Sequence, residues 1–291
     1  MSDYLEISKL RVAFDGFVAV DDVDLTVLKG DLRFLIGPNG AGKTTLIDAV
    51  SGLVPSTGYI EFAGQQLSGR KVHTIATLGV GRTFQTATVF EKLTVLQNLD
   101  IAAGASRKKL SLLRRRHGVP GPVHEVLETI SLVELADVPA GILAHGQKQW
   151  LEIGMLLVQN SQLLMLDEPV AGMSAEERDE TGRLLQRIAQ DRTVVIVEHD
   201  MDFMRSFATS VTVLAAGKVL SEGTVAQVQA DPKVQEVYLG TAGHALAGGA
   251  DVVEVIAAQA EQVALEVGQA DGGQVTPAGE SAGSVPEGAS S

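Results

Sequence analysis

The chain has 291 residues, room for one large or two ordinary domains with a sizeable core, and its 45% hydrophobic and 20% charged residues are an ordinary globular mixture. Cysteine is absent, which excludes disulfides and thiolate metal sites, and no apolar run approaches the ~18 residues that span a bilayer. The formal charge of −13 argues against a nucleic-acid partner.

The N-terminus lacks the basic, apolar, small-residue order of a signal peptide, which together with the missing cysteine fits a cytoplasmic protein. Leu5 to Leu10 and Asp24 to Leu28 read as short strands. Between them lie Phe14 and Phe17, in a chain with only 4% aromatic residues. Either ring can offer a face to a purine base or pack into the core.

Leu32 to Ile36 is apolar enough for a buried strand, and Thr44 to Val50 reads as a helix. The segment between them, Gly37-Pro38-Asn39-Gly40-Ala41-Gly42-Lys43-Thr44, fits G-x-x-x-x-G-K-[ST] with the flanks that pattern requires. Glycines let the backbone curl around an anion with its N–H groups inward, and the helix N-terminus adds partial positive charge. Lys43 then reaches the terminal phosphates of a nucleotide, and Thr44, followed by Thr45, places a hydroxyl for Mg²⁺.

Gly52 and Pro55 end the helix, and Gly58 to Gly64 reads as a strand entering a turn. From about Thr74 to Asn160 the chain changes character: Thr83-Phe84-Gln85 follows a Gly-rich turn, and beyond it the apolar spacing is helical, broken at Pro120 and Pro122, which suggests a helical insertion in an α/β domain. The insertion carries a basic cluster, Arg107, Lys108, Lys109 and Arg114 to Arg116, that reads as a solvated loop or helix end, or as a patch for anionic lipid headgroups. Leu143-Ala144-His145-Gly146-Gln147 leads into a helix; its exposed N–H groups make either an ordinary helix start or a second anion site.

Gln162 to Leu166 runs as a strand into Asp167-Glu168-Pro169, the strand end at which α/β sheets place ligands. Asp167 there can hold Mg²⁺, and Glu168 can polarise an attacking water. A further strand, Thr193 to Val197, runs into Glu198-His199-Asp200, with His199 a phosphate contact or a structural histidine and Asp200 a cap for the next helix. Val211 to Leu214 and Lys218 to Gly223 look like a closing hairpin. Beyond Gly240 there are seven acidic residues and no Lys or Arg; 251–267 can form an amphipathic helix, and 268–291 has the make-up of a disordered tail.

In this order and spacing, the phosphate loop, Gln85, Leu143 to Gln147, Asp167-Glu168 and His199 resemble the nucleotide-binding subunit of an ABC transporter over roughly residues 5 to 240. The resemblance implies an α/β P-loop NTPase fold with a RecA-like core, an antiparallel β subdomain and a helical subdomain at about 85–160. It also implies that ATP and Mg²⁺ are bound. By it Phe14 stacks on adenine, Gln85 links metal and water to the membrane partner, Glu168 is the catalytic base and His199 holds the γ-phosphate. Ala144, Gly146 and Gln147 would then reach a nucleotide on an opposing subunit.

Phrases such as His145 to Ile153, Glu168 to Met173 and Val197 to Phe203 are similar to the branched-chain amino acid importer group, and within it to the urea or short-chain amide branch, which implies a subunit powering import of urea or short-chain amides, with branched-chain amino acids as the alternative cargo. The implied partners are transmembrane permease subunits, a second and related ATP-binding subunit rather than a second copy, and indirectly a periplasmic substrate-binding protein. The implied location is the cytoplasmic face of the inner membrane. Departures from the family pattern are Ala144, where relatives usually carry Ser, Ser174, where many carry Asp, and the acidic tail.

Overall fold

The computed structural model describes residues 3–84, 87–105 and 121–241. Gln85, the basic cluster at 107–116 and the 251–267 helix therefore lie outside the described residues. In chain order come β1 (Asp3–Phe14), β2 (Phe17–Leu28), β3 (Leu32–Ile36), α1 (Lys43–Ser51), β4 (Thr57–Phe62), β5 (Gln65–Gln66), α2 (Val72–Thr77) and β6 (Val80–Arg82). Then follow α3 (Val95–Ala105), α4 (Gly121–Thr129), α5 (His145–Val158), β7 (Leu163–Asp167), α6 (Ala175–Ala189) and β8 (Thr193–Val197). The remainder is α7 (Met201–Phe207), β9 (Ser210–Ala215), β10 (Lys218–Gly223), α8 (Val225–Gln229) and α9 (Pro232–Thr241).

Two sheets organise these elements. One is antiparallel, in the order β2-β1-β4-β5. The other runs β10-β9-β3-β8-β7-β6 and is parallel throughout except for β10. β3, β7 and β8 are buried at every position, because helices or the other sheet cover both faces. Their side chains divide by the two-residue strand period. Leu32, Phe34, Ile36, Leu164, Leu166, Val194 and Ile196 join a core with α3 to α7. Leu35, Leu163, Met165, Val195 and Val197 face α1 and the inner side of the antiparallel sheet.

The first two strands are longer than the sequence suggests, because polar residues alternate outward along a half-exposed hairpin that turns at Asp15-Gly16. Val80–Arg82 is an edge strand paired with β7, too short and too glycine-interrupted to show a strand period. α6 buries Leu184, Leu185 and Ile188 at helical spacing, and Ser174 and Glu177 form a capping box at its start, each side chain accepting the other's backbone N–H at 2.9–3.2 Å. Ser174 is thus the N-cap of α6. Among the described residues no helix is long and apolar enough to cross a membrane.

Candidate functional site

The loop between β3 and α1 is fixed by what surrounds it. Gly37 and Gly42 have φ of 148° and 96°. A Cβ on either would run into a backbone oxygen, that of Leu214 or of Ala19. Only glycine lets the loop sit this close to its walls. Gly42 is the N-cap of α1, so the first N–H groups of that helix open into the loop, with Asn39, Gly40 and Thr44 on the exposed side. Lys43 Nζ donates to the carbonyl oxygens of Gly37 at 2.7 Å and Pro38 at 3.1 Å. Burial lowers the Lys43 pKa, while Glu168 and Asp167 hold it up, which places the ammonium in the field of both carboxylates. A glycine loop packed against backbone walls at a helix N-terminus, with a cation folded across it, fits a polyphosphate.

The carboxylates come from the neighbouring strand. Asp167 closes β7 and is buried; burial raises its pKa, opposed by Arg82 and by a hydrogen bond with Thr44. Its backbone N–H donates to Thr83 Oγ1 at 3.3 Å, and the Thr83 N–H donates to Met165 O at 3.0 Å. The segment leading into Gln85 is thereby pinned to the end of β7. A carboxylate beside a hydroxyl at the phosphate loop is an oxygen set that fits Mg²⁺, which characteristically takes few protein ligands and completes its shell with phosphate and water. Among the described residues no cluster of three or more acidic, His or Cys side chains could hold a metal alone.

Glu168 has φ +49°, a left-handed conformation uncommon outside glycine. Its N–H donates to Val197 O at 2.9 Å, crossing to β8, and its Oε1 lies 3.5 Å from His199 Nδ1. Hydrogen bonding to Glu168 raises the His199 pKa against the opposing effect of burial. Asp200 caps α7, accepting the Phe203 N–H at 2.8 Å. The structure therefore brings Lys43, Thr44, Asp167, Glu168 and His199 to one end of the parallel sheet.

Two further residues there escape a reading of the sequence. Arg82, at the end of the short β6, has a side chain only 7% exposed, pairs with Asp48 of α1 and stands 3.6 Å from Asp167 Oδ2. An arginine immediately before Thr83-Phe84-Gln85 is the one local signal for it. Glu198, the last residue before His199, is 1% exposed.

The expected residues Phe14, Ala144, Gly146 and Gln147 belong to other elements, the end of β1 and the start of α5. Ala144 is the N-cap of α5 and has no side chain to cap it; Gln147 Oε1 accepts the Ala144 N–H at 3.1 Å. His145 Nε2 lies 3.1 Å from Ala171 O, in the loop after Glu168. Ala144 and His145 are exposed, whereas Gly146 is buried against Glu177. Phe14 and Phe17 face each other across the β1–β2 turn, 42% and 65% exposed, so neither packs into the core.

Comparison with known proteins agrees with this geometry. Residues 20–171 match the family model described as ABC transporter, and residues 218–244 match one described as branched-chain amino acid ATP-binding cassette transporter. The chain is 36% identical over 251 residues to the high-affinity branched-chain amino acid transport ATP-binding protein BraF of Pseudomonas aeruginosa, covering 82% of this chain and 98% of that one. It is 34% identical over 250 residues to LivG of Escherichia coli K12, a protein of the same description, at 82% and 98% coverage. The crystal structure of an ABC transporter ATP-binding cassette in its ADP conformation superposes with a TM-score of 0.73 at 30% identity, covering 82% of this chain and all of that one. With fold, phosphate loop and relatives in agreement, the chain belongs to the ABC transporter family as an ATP-binding, ATP-hydrolysing subunit of the branched-chain amino acid transporter group.

Proposed function

We propose that this subunit powers import of branched-chain amino acids through transmembrane permease subunits, at the cytoplasmic face of the inner membrane. A periplasmic binding protein delivers the cargo on the far side. The resemblance of short phrases favours urea or short-chain amides; the names of the most similar relatives support the branched-chain amino acid alternative instead. The observation that carries the hydrolytic reading is the convergence of Lys43, Asp167, Glu168 and His199 at adjoining strand ends.

In this reading Phe14 stacks on the adenine, and residues 37–45 with Lys43 grip the phosphates. Thr44, Asp167 and Gln85 would hold Mg²⁺, which would neutralise charge on the phosphate oxygens. Glu168 accepts the proton of a water attacking the γ-phosphorus, the bond to the bridging oxygen breaks, and ADP and phosphate leave. His199, its pKa raised beside Glu168, donates to the γ-phosphate. A second, related ATP-binding subunit opposes this one head to tail, and the start of each α5 (Ala144, Gly146 and Gln147 here) covers the other's nucleotide.

Glu168→Gln in the assembled complex tests this. ATP binding should persist while multiple-turnover phosphate release falls by at least about 100-fold; turnover near the native rate would remove Glu168 from the role. In vesicles carrying the complex, leucine with its binding protein should stimulate ATPase activity and urea should not. Stimulation by urea alone would return the cargo to the amide branch.

A further inference from the structure

Glu198 is a carboxylate placed where an apolar residue would cost less. It directly follows β8 and is almost completely buried, beneath a loop whose Val170 and Met173 belong to the apolar core. Desolvating a carboxylate is expensive unless its oxygens are occupied. Here they are. Oε2 accepts the N–H groups of His199 at 3.0 Å and Asp200 at 3.3 Å, and Oε1 accepts the N–H of Val170 at 3.3 Å. Val170 lies two residues after Glu168, so one side chain holds the loop of the glutamate and the loop of the histidine together. His199 Nδ1 sits between the two acids, 3.5 Å from Glu168 Oε1 and 3.9 Å from Glu198 Oε2.

The pair needs such a brace. Glu168 occupies a left-handed backbone conformation that its own preferences oppose, so its surroundings must impose it. The Glu168 N–H to Val197 O bond supplies one restraint from β8, and the Val170 N–H to Glu198 bond supplies a second from two residues further along. Between them the two restraints bracket the turn that aims the Glu168 carboxylate. Burial also pushes the Glu198 pKa up to about 7, against the opposing pull of His199 and the three N–H donors, a measure of how deep the group lies.

We propose that Glu198 is a positioning residue for hydrolysis: by accepting N–H groups from both loops it fixes the separation and aim of Glu168 and His199 without touching the nucleotide. The kinetic part of this rests on the hydrolytic reading above.

Glu198→Gln is the discriminating variant. An amide retains one acceptor oxygen, best used on the two N–H groups of residues 199 and 200. Its NH₂ then faces the Val170 N–H, donor against donor, and the tie between the loops is cut while the fold is retained. In the assembled complex kcat should fall about 10- to 100-fold, the scale of a misplaced catalytic group. KM for ATP and nucleotide binding should stay within about twofold, since phosphate binding is made elsewhere. Replacing the Val170 peptide N–H by an ester oxygen removes the same bond from its other end without altering any side chain. It should reproduce the kcat loss, and combining it with Glu198→Gln should add little. A folded Glu198→Gln or ester variant with native kcat overturns the proposal, and so does a loss shared equally by binding and turnover.

A readout on the full chain alone separates this from the hydrolytic reading. The imidazole nitrogen signals of His199 should move in Glu198→Gln toward their positions in Glu168→Gln, because both changes release the same contact. Unmoved signals overturn the bracing whatever the ATPase assay gives. Moved signals in a chain whose complex fails to hydrolyse ATP uphold the bracing and reject the function proposed for the pair.

Discussion

The phosphate loop and the start of α5 both present the N–H groups of a helix N-terminus, yet they are finished to different degrees. The loop is walled by its own chain: backbone oxygens of Leu214 and Ala19 stand against Gly37 and Gly42, Lys43 folds across the mouth, and two carboxylates lie within its field. The α5 start has no such enclosure. Ala144 and His145 are exposed, no side chain caps the helix, and nearby Ile142 is 76% exposed. In the function proposed above, the first is a binding site built within one chain and the second is half an interface. Nucleotide affinity should therefore depend on the loop, and dependence on the partner subunit on α5.

The hardest test of that division is Gly42→Ala. The added Cβ meets the Ala19 carbonyl oxygen, and φ of 96° is a conformation alanine resists. Nucleotide affinity of the full chain should fall about a thousandfold, ~4 kcal/mol, in a fluorescence or calorimetric titration. Gly40→Ala is the internal control, since nothing lies within 4 Å of its Cβ even though φ is 77°. It should lose only about 1–2 kcal/mol. Equal losses at the two positions would mean that backbone conformation, not the walls, shapes the loop.

The same contrast explains what is legible in the sequence. The loop is encoded locally, by glycine spacing between an apolar strand and a helix, so residues 37–45 can be assigned from the chain alone. Asp167 and Glu168 are legible because an apolar run ends in them. Other features exist only through contacts distant in sequence. Val80–Arg82 becomes a strand by pairing with Leu163–Met165, and three residues around a glycine carry no period of their own. Arg82 matters because β6 lays it beside Asp48 and Asp167, and Glu198 because its chain neighbours conceal a third partner at Val170. Phe14 and Phe17 are indistinguishable from core residues until the hairpin turns them outward.

A middle-sized effect sharpens the other side of the comparison, for α5 is free at its start and anchored along its length. Glu152 is buried on α5 and accepts N–H groups from Thr88, at 3.3 Å, and Phe84, on either side of Gln85-Thr86. Burial lifts its pKa from an ordinary 4.5 to about 7. The folded chain thus takes up this proton at a pH where the unfolded chain does not. The group's contribution to stability is full below pH 4.5 and is lost as pH rises through 7. Glu152→Gln removes that dependence. Urea titrations from pH 5 to 8 should show the native chain losing about 2 kcal/mol more than the variant across this window. Parallel curves would mean that Glu152 is solvated and that α5 lacks this anchor.

The smallest effect addresses the open end itself. Ala144 has φ −59° and ψ 159°, a backbone already suited to a capping serine, and Gln147 already supplies one arm of a capping box by accepting the Ala144 N–H. Ala144→Ser would supply the other arm, its hydroxyl accepting the Gln147 N–H, and should raise stability by about 1 kcal/mol in denaturant titration. The hydroxyl is also free to turn outward toward a nucleotide on an opposing subunit, at the cost of that cap. The two uses compete, so the ATP concentration for half-maximal turnover in the assembled complex should fall by only about threefold, under the value of a full hydrogen bond to a charged group. A gain in stability with no change in that concentration would leave α5 with a better cap and no part in covering the partner's nucleotide. The converse, tighter ATP dependence without added stability, would show the hydroxyl committed to the interface.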